Sequence, residues 1–567
     1  MSATLPIISE TTKKIEDGDF DLVEMLLTEQ HSLTAVERFS SFHSETSHAP
    51  AQERYYQDLL PATPPKPGQQ YAFRVDLDVC SGCKACVVAC HTLNGLEEQE
   101  TWRSVGTVTQ ESGTSARIQH VTTACHHCED PGCLSGCPVK AYSKEPDTGI
   151  VRHHDDQCIG CKYCTMMCPY EVPKYSDRLG IVRKCDMCHQ RLSVGEAPAC
   201  VQSCPNEAIS IQLVDVPDAS IDATSRLITG APKSSLTKPT TQYVTRHTES
   251  LHDAAPQDRE VDEVAESHWP LAVMLVMTQI SVGMLLVERL FAGLFWIAGQ
   301  GMPEEVTRTN TLASFVVALL GLQIASLHLG QPLRAWRVFL GLKTSWLSRE
   351  AVLFGKYAAF VGIAVALLWM PFYVDYVPDA VQLPSWASTL CLGLAVLFGV
   401  AGLYSSAMIY IATQRELWRL DRTLVRFFGT AVVGGFAFAA PWMLYGGAVT
   451  PAVFVALFLM LGTACGKLGW EWRKSLAPSN ECDDEFDRRS RRLIQGELRM
   501  NRTQRLLSGA VSIALTALCL VSLPFASSSL VFGLAFAASI TFLIGEVFER
   551  LLYFSSVVYD RMPGILR

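Results

Sequence analysis

Sixteen of the chain's 20 cysteines lie between Cys80 and Cys204, in four groups of four. They read Cys80-x2-Cys83-x2-Cys86-x3-Cys90, then Cys125-x2-Cys128-x4-Cys133-x3-Cys137-Pro138, then Cys158-x2-Cys161-x2-Cys164-x3-Cys168-Pro169, then Cys185-x2-Cys188-x11-Cys200-x3-Cys204-Pro205. Soft thiolates at this spacing select iron-sulfur clusters or zinc. Three sulfurs from one turn grip one cubane, and the fourth, before proline, reaches another. Zinc ribbons also use Cys-x2-Cys pairs, but they separate the pairs by a longer gap that the triple here lacks. Disulfides suit short secreted chains, and paired Cys-x2-Cys motifs in a cytosolic module point to metal instead. The expectation is four 4Fe-4S clusters on sixteen thiolates. His126 and His127, between Cys125 and Cys128, are surplus to that count and are expected to support a cluster from outside its ligands or to sit at the surface. Cys391, Cys465, Cys482 and Cys519 are expected to be incidental.

The elements that must position these groups fall into four stretches. Residues 1–70 are an extension of charged helical patches and a proline-rich spacer, Pro61 to Pro67. Residues 71–214 are the cysteine module, closed at its ends by strand-like pieces at 71–76 and 208–212. Residues 215–267, rich in Ser, Thr, Pro and Asp, are too polar to bury a core and read as a linker, wrapped on a partner. Residues 268–567 hold eight apolar spans, near 270–298, 311–330, 350–374, 386–412, 427–446, 449–470, 505–525 and 529–550, each long enough for a bilayer. A net charge of −9 argues against nucleic-acid binding, which needs a basic surface.

An even number of spans returns both ends to one side. That side carries Arg334, Arg337, Lys343 and Arg349, then Arg415, Arg419, Arg422 and Arg426, then an Arg-rich stretch from Arg473 to Arg505. The other side offers Arg308 beside Glu304 and Glu305, then Asp375 and Asp379. The positive-inside rule makes the cation-rich side cytoplasmic and puts the cysteine module there, on the inner face of the cytoplasmic membrane. The N-terminus, with neither an apolar signal core nor a twin-arginine pair, gives the same expectation. Glu288-Arg289 inside the first span could line a cavity or pair with neighbours.

From Trp269 onward there is a single histidine, His328, whereas a membrane haem b held by two imidazoles needs two. Electrons from a lipid-soluble donor would then reach the clusters without haem, and quinol, either menaquinol or ubiquinol, is the expected donor.

Four cysteine groups in this order, with Cys158-Ile-Gly-Cys-Lys-Tyr-Cys164 and Cys168-Pro-Tyr170, resemble the iron-sulfur subunit of the dimethyl sulfoxide reductase and polysulfide reductase families. The stretch from Ser326 through His328-Leu-Gly-Gln-Pro to Arg337, followed by Ser345-Trp-Leu-Ser-Arg-Glu350, resembles the haem-free anchor subunit of dimethyl sulfoxide reductase. The chain thus resembles a fusion of the two subunits. The resemblance implies an α+β bacterial-ferredoxin-like polyferredoxin domain followed by an all-α eight-helix transmembrane bundle. It implies nested ligation: Cys80, Cys83 and Cys86 with Cys204; Cys185, Cys188 and Cys200 with Cys90; Cys125, Cys128 and Cys133 with Cys168; Cys158, Cys161 and Cys164 with Cys137. His91, not proline, follows Cys90, a departure expected to leave ligation intact. It further implies quinol oxidation at His328 and Glu350. An imidazole can accept the quinol hydrogen bond and a carboxylate its proton. The competing reading is that both residues complement helix dipoles at helix ends.

With the cysteine module and eight spans filling most of the chain, a molybdopterin catalytic subunit is expected as a separate partner beside the membrane lipid and quinone pool. Electron transfer to it from quinol is the expected function. A nitrate or sulfur-compound reductase, reverse flow to quinone, and a non-enzymatic redox sensor remain as alternatives.

Overall fold

A computed structural model describes residues 58–564 apart from 113–114, 217–224, 248–253, 260, 373–385, 448–449 and 480–482. Residues 1–57, Asp375, Asp379 and Cys482 lie outside the described residues.

The cysteine domain is closed by pairing its two ends. Strand β1 (Gln69–Asp76) runs antiparallel to β8 (Ile209–Asp215), with Gln69 opposite Asp215 and Val75 opposite Ile209. Phe73, Val75, Ile209 and Ile211 send their apolar side into one core with Leu59 and Met187. Between these strands run a long hairpin, β2 (Ser104–Ser112) with β3 (Ser115–Thr123), and two short ones, β4 (Tyr142–Lys144) with β5 (Val151–His153) and β6 (Lys174–Ser176) with β7 (Ile181–Arg183). The helices are short: α1 (Ala85–Leu93), α2 (Gly132–Gly136), α3 (Tyr163–Met167), α4 (His189–Leu192) and α5 (Ala199–Gln202). Each begins within or beside a cysteine group. Lys84 and Lys162, at matching places in Cys-Lys-x-Cys, both adopt left-handed backbone at the helix start (φ 62° and 57°), turning the chain sharply between successive thiols.

The polar segment expected as a linker folds onto this domain. Its β9 (Gln242–Val244) lies parallel to β1, with Arg74 opposite Gln242, and its β10 (Ala255–Pro256) extends the β2–β3 sheet. Backbone ladders and Thr hydroxyls hold it, as where Thr240 donates to the His126 carbonyl at 2.8 Å. A ladder needs backbone groups, not apolar side chains, so polarity alone did not exclude strands.

Among the described residues, eight helices are long and apolar enough to cross a membrane. They are α6 (Trp269–Ile297), α7 (Glu304–Ala325), α8 (Trp346–Trp369), α9 (Trp386–Ile411), α10 (Leu420–Tyr445), α11 (Thr450–Glu471), α13 (Arg499–Ser522) and α14 (Ser528–Ser555), with the polar α12 (Glu485–Gln495) between the sixth and seventh. Several begin earlier or end later than the apolar runs, because their charged first or last turns are paired. Arg308 bonds Glu304 and Glu305 at 3.0 Å, and Arg422 pairs with Asp487. Helices α6 and α10 are mostly buried by the others. They cross where a Cβ on Gly283 would collide with the Ala431 carbonyl and one on Gly435 with the Gly283 carbonyl, the close approach small residues permit in bilayers. Glu288 and Arg289 pair with each other, and Thr307 donates to Glu288 at 2.7 Å.

Candidate functional site

The structure brings thiols of different cysteine groups together. Cys80, Cys83, Cys86 and Cys204 border one hollow, together with Ser81, Asn206 and Ala208. Cys125, Cys128, Cys133 and Cys168 border a second. Cys137 lies within electrostatic reach of Cys158, Cys161 and Cys164. Cys90 is similarly close to Cys188, Cys200 and Cys185. Among the described residues no three His, Cys, Asp or Glu are placed to hold a single metal ion. The thiols of two sets border hollows instead, an arrangement that fits a multi-atom core.

The surroundings fit sulfur ligands bearing charge. Backbone N–H groups point at sulfur: Ala141 to Cys137 and Ala208 to Cys204, both at 3.2 Å, Gly160 to Cys158 and Met187 to Cys185, both at 3.4 Å. Such bonds stabilise the thiolate over the thiol. Burial pushes the Cys90 thiol up to about 12, whereas at Cys158 burial is outweighed by the His153 ring and backbone N–H groups, which hold that thiol below its usual value. Two buried cations answer the thiols. Lys184 stands 3.6 Å from the Cys125 sulfur and also donates to the Val151 and Cys185 carbonyls. Arg103 is buried, which works against its charge, yet Cys200, Cys86, Cys185 and Cys90 hold its pKa above the usual value. His126 and His127 are buried, so the surface alternative is corrected. Burial, then Arg103, lowers His126 to about 3, and burial, then Lys184, depresses His127 strongly. Both are neutral hydrogen-bonding spacers. His126 Nδ1 meets Thr241 Oγ1 at 2.9 Å, and His127 Nδ1 accepts from Val151 N at 3.1 Å.

The set Cys137, Cys158, Cys161 and Cys164 faces the membrane helices. Ser345 donates to the Gly136 carbonyl at 2.7 Å and Ser348 to the Pro138 carbonyl at 3.3 Å, either side of Cys137. Tyr163, between Cys161 and Cys164, donates to the Ile409 carbonyl at 3.0 Å. Gln331 donates its backbone N–H to Ile159 and its side chain to Leu179, at 3.0 and 2.8 Å. Three backbones meet there, since a Cβ on Gly330 would strike the Gly180 carbonyl and come within 2.6 Å of the Tyr175 hydroxyl.

The tight helical segment Pro332–Gly341 has two jobs. At three residues per turn, positions three apart eclipse. Leu333, Trp336 and Phe339 form one ridge, 93%, 65% and 56% exposed, suited to a membrane interface. Arg334 and Arg337 form another, donating to the carbonyls of Asp155, Cys158 and Asp156. Arg349 bonds the Leu342 and Lys343 carbonyls of its own loop.

His328 ends the short helical turn after α7, and its ring meets the Cys161 backbone. Glu350, 4% exposed, lies just past the first turn of α8, within electrostatic reach of Tyr163 and Tyr410. Both residues thus border the loop Cys161–Cys164. His328 Nε2 and Glu350 Oε1 are buried and make no hydrogen bond of ordinary geometry within the protein, and Ser406 stands beside the Glu350 carboxyl. Sequence reasoning missed Tyr163, Tyr410 and His268. The last lies one residue before the stretch in which histidines were counted, and its ring packs edge-to-face on His328 with centroids 5.1 Å apart.

Comparison with known proteins covers both halves. Residues 116–214 match the family model for a 4Fe-4S dicluster domain, and residues 264–469 match the model for the DMSO reductase anchor subunit (DmsC). The B subunit of the anaerobic dimethyl sulfoxide reductase of Escherichia coli K12 is 37% identical over 154 residues, 26% of this chain and 75% of that protein. The hydrogenase-2 operon protein HybA of Escherichia coli O157:H7 is 35% identical over 189 residues, 29% of this chain and 55% of its own length. The iron-sulfur subunit of the nitrate-inducible formate dehydrogenase of Escherichia coli K12 is 36% identical over 168 residues, 26% and 57% respectively. With its cysteine domain continuous with an eight-helix anchor, the protein belongs to the family of electron-transfer iron-sulfur subunits that includes the dimethyl sulfoxide reductase B subunit, fused here to a DmsC-type membrane anchor.

Proposed function

We propose that the protein oxidises menaquinol or ubiquinol at His328 and Glu350 and delivers the electrons to a separate molybdopterin catalytic subunit that reduces a sulfoxide-type acceptor. The observation that carries this reading is that the Cys137, Cys158, Cys161 and Cys164 set docks on the membrane helices and that His328 and Glu350 border its Cys161–Cys164 loop. Four 4Fe-4S clusters, held in the nested sets, would supply one-electron relays between the two halves. His328 Nε2 accepts a hydrogen bond from a quinol hydroxyl, and Glu350 Oε1 takes a proton as electrons leave. This reading invokes no haem between quinol and the clusters. The domain limits follow the same reading: an extension to residue 70, the cluster domain at 71–214, a connecting segment at 215–267 whose strands β9 and β10 pair with it, and the anchor from 268.

Replacing Glu350→Gln or His328→Leu removes a proton or hydrogen-bond acceptor and no thiol. Reduction of the purified protein by a water-insoluble quinol analogue is expected to fall by about 10²-fold or more, while reduction by dithionite is unchanged. Wild-type quinol rates in both variants would mean that these residues only cap helices and the quinol site lies elsewhere.

Iron analysis is expected to give about sixteen atoms per chain and no stoichiometric zinc, four for each set of four thiols. Zinc in place of iron would return the cysteine groups to ribbons. The cation-rich loops supply the orientation, with the cluster domain at the cytoplasmic face. A reporter fused after Arg567 should then be active only as a cytoplasmic enzyme, and periplasmic activity reverses the topology.

A further inference from the structure

We infer that His268 carries protons from the His328–Glu350 site to a water-accessible vestibule between the two halves of the protein; this rests on the quinol reading above. The vestibule is walled by Glu171 of the cluster domain, Glu263 and Glu266 of the connecting segment, and Arg415 and Arg561 of the anchor, and His268 lines it too. A cavity lined by so many charged groups holds water. His268 bridges that water and the redox site. One edge of its ring meets His328, 5.1 Å between centroids at 86°, and its Nδ1 lies 3.6 Å from Glu266 Oε1. The His268 side chain is 9% exposed and that of Glu266 47%, so the step from one to the other is a step from interior to solvent. Lys162, inside the third cysteine group, donates to the same Glu266 oxygen at 2.5 Å and fixes it in place.

The backbone is set for this placement. His268 takes left-handed φ and ψ of 44° and 47° immediately before α6, turning its ring inward under Phe554 instead of along the helix. Other charged groups facing the ring's surroundings are Glu263, Arg415, Arg561 and Glu171, and Tyr559 bonds Glu171. Oxidation of one quinol to quinone releases two electrons, which the cluster domain accepts and passes to the catalytic subunit, and two protons. An imidazole can accept a proton at one nitrogen and release another from the second without net change. His268 thus takes a proton from the His328 side and gives one to Glu266 and vestibule water.

The test uses the full chain in membranes and reads cluster reduction by the quinol analogue. His268→Phe keeps a flat ring against His328 and Phe554 but cannot carry a proton, and His268→Ala opens the position to solvent. Both are expected to lose about 10²-fold in quinol-driven reduction and nothing in dithionite reduction, and free imidazole in the buffer is expected to restore the alanine variant. A packing role predicts the opposite: the phenylalanine variant active and the alanine variant not rescued. Either of those results, or wild-type rates in both variants while Glu350→Gln is inactive, overturns the relay and leaves the quinol site standing. Wild-type rates in Glu350→Gln and His328→Leu would remove the quinol site itself, and the relay with it.

Discussion

Gly330→Val is expected to separate quinol oxidation from cluster reduction without touching a thiol, a proton acceptor or a membrane helix. At Gly330 the anchor's backbone lies against the β6–β7 turn and the Cys158–Cys161 loop. A Cβ there collides with the Gly180 carbonyl and approaches the Tyr175 hydroxyl, and a Cβ on the facing Gly160 would strike that same carbonyl. Backbone cannot rotate away as a flexible side chain can, so the contact opens or strains. Overpacking of this kind costs about 1–3 kcal/mol, and each 1.4 kcal/mol is about tenfold in the docked population. The nearby bonds from Gln331 to Ile159 and Leu179 and from Arg334 to Cys158 would loosen with it. Iron content and dithionite reduction should stay at wild-type values, and quinol-driven reduction should fall by about tenfold or more. Gly330→Ala should give an intermediate loss. A valine variant reduced by quinol at the normal rate would show that the two halves do not depend on this contact for electron entry.

Much of the architecture was legible because it is written in local spacing. Cysteine intervals defined the cluster domain, and apolar runs defined the spans, since both signals live within one turn or one helix. What the sequence hid was long-range. The connecting segment reads as linker because its strands pair through backbone groups, and β9 lies about 170 residues beyond its partner β1. The crossing of thiol sets is not in the spacing: it is the family pattern that joins the last Cys of each group to three thiols of a different group. His268 escaped because it caps α6 from outside the apolar run, although its proximity to the first span was a usable signal. The charges in the later helices carry a plainer signal: Lys467, Glu546 and Arg550 interrupt otherwise apolar stretches, which marks buried partners.

Those charges lead to the largest stability effect expected in this protein. Lys467 and Glu471 on α11, Arg505 on α13 and Glu546 on α14 form a closed square. Lys467 bonds Glu471 at 2.6 Å and Glu546 at 2.7 Å, and Arg505 bonds Glu471 at 2.8 Å and Glu546 at 2.9 Å. Thr430 of α10 donates to Glu546 at 2.5 Å, tying in a fourth helix. All four ionic side chains are 4% exposed or less, and the square is neutral. Glu546→Gln leaves two cations sharing one carboxylate, away from water. Removing one member of a buried ionic group costs about 3–5 kcal/mol. Lys467→Met in the same chain then restores neutrality with the Arg505–Glu471 pair intact, and should recover most of the loss. Thermal unfolding of the detergent-solubilised protein, compared across the two single variants and the double, measures the coupling. Losses that simply add in the double variant would mean that water already reaches these charges and that the four helices are held by packing alone.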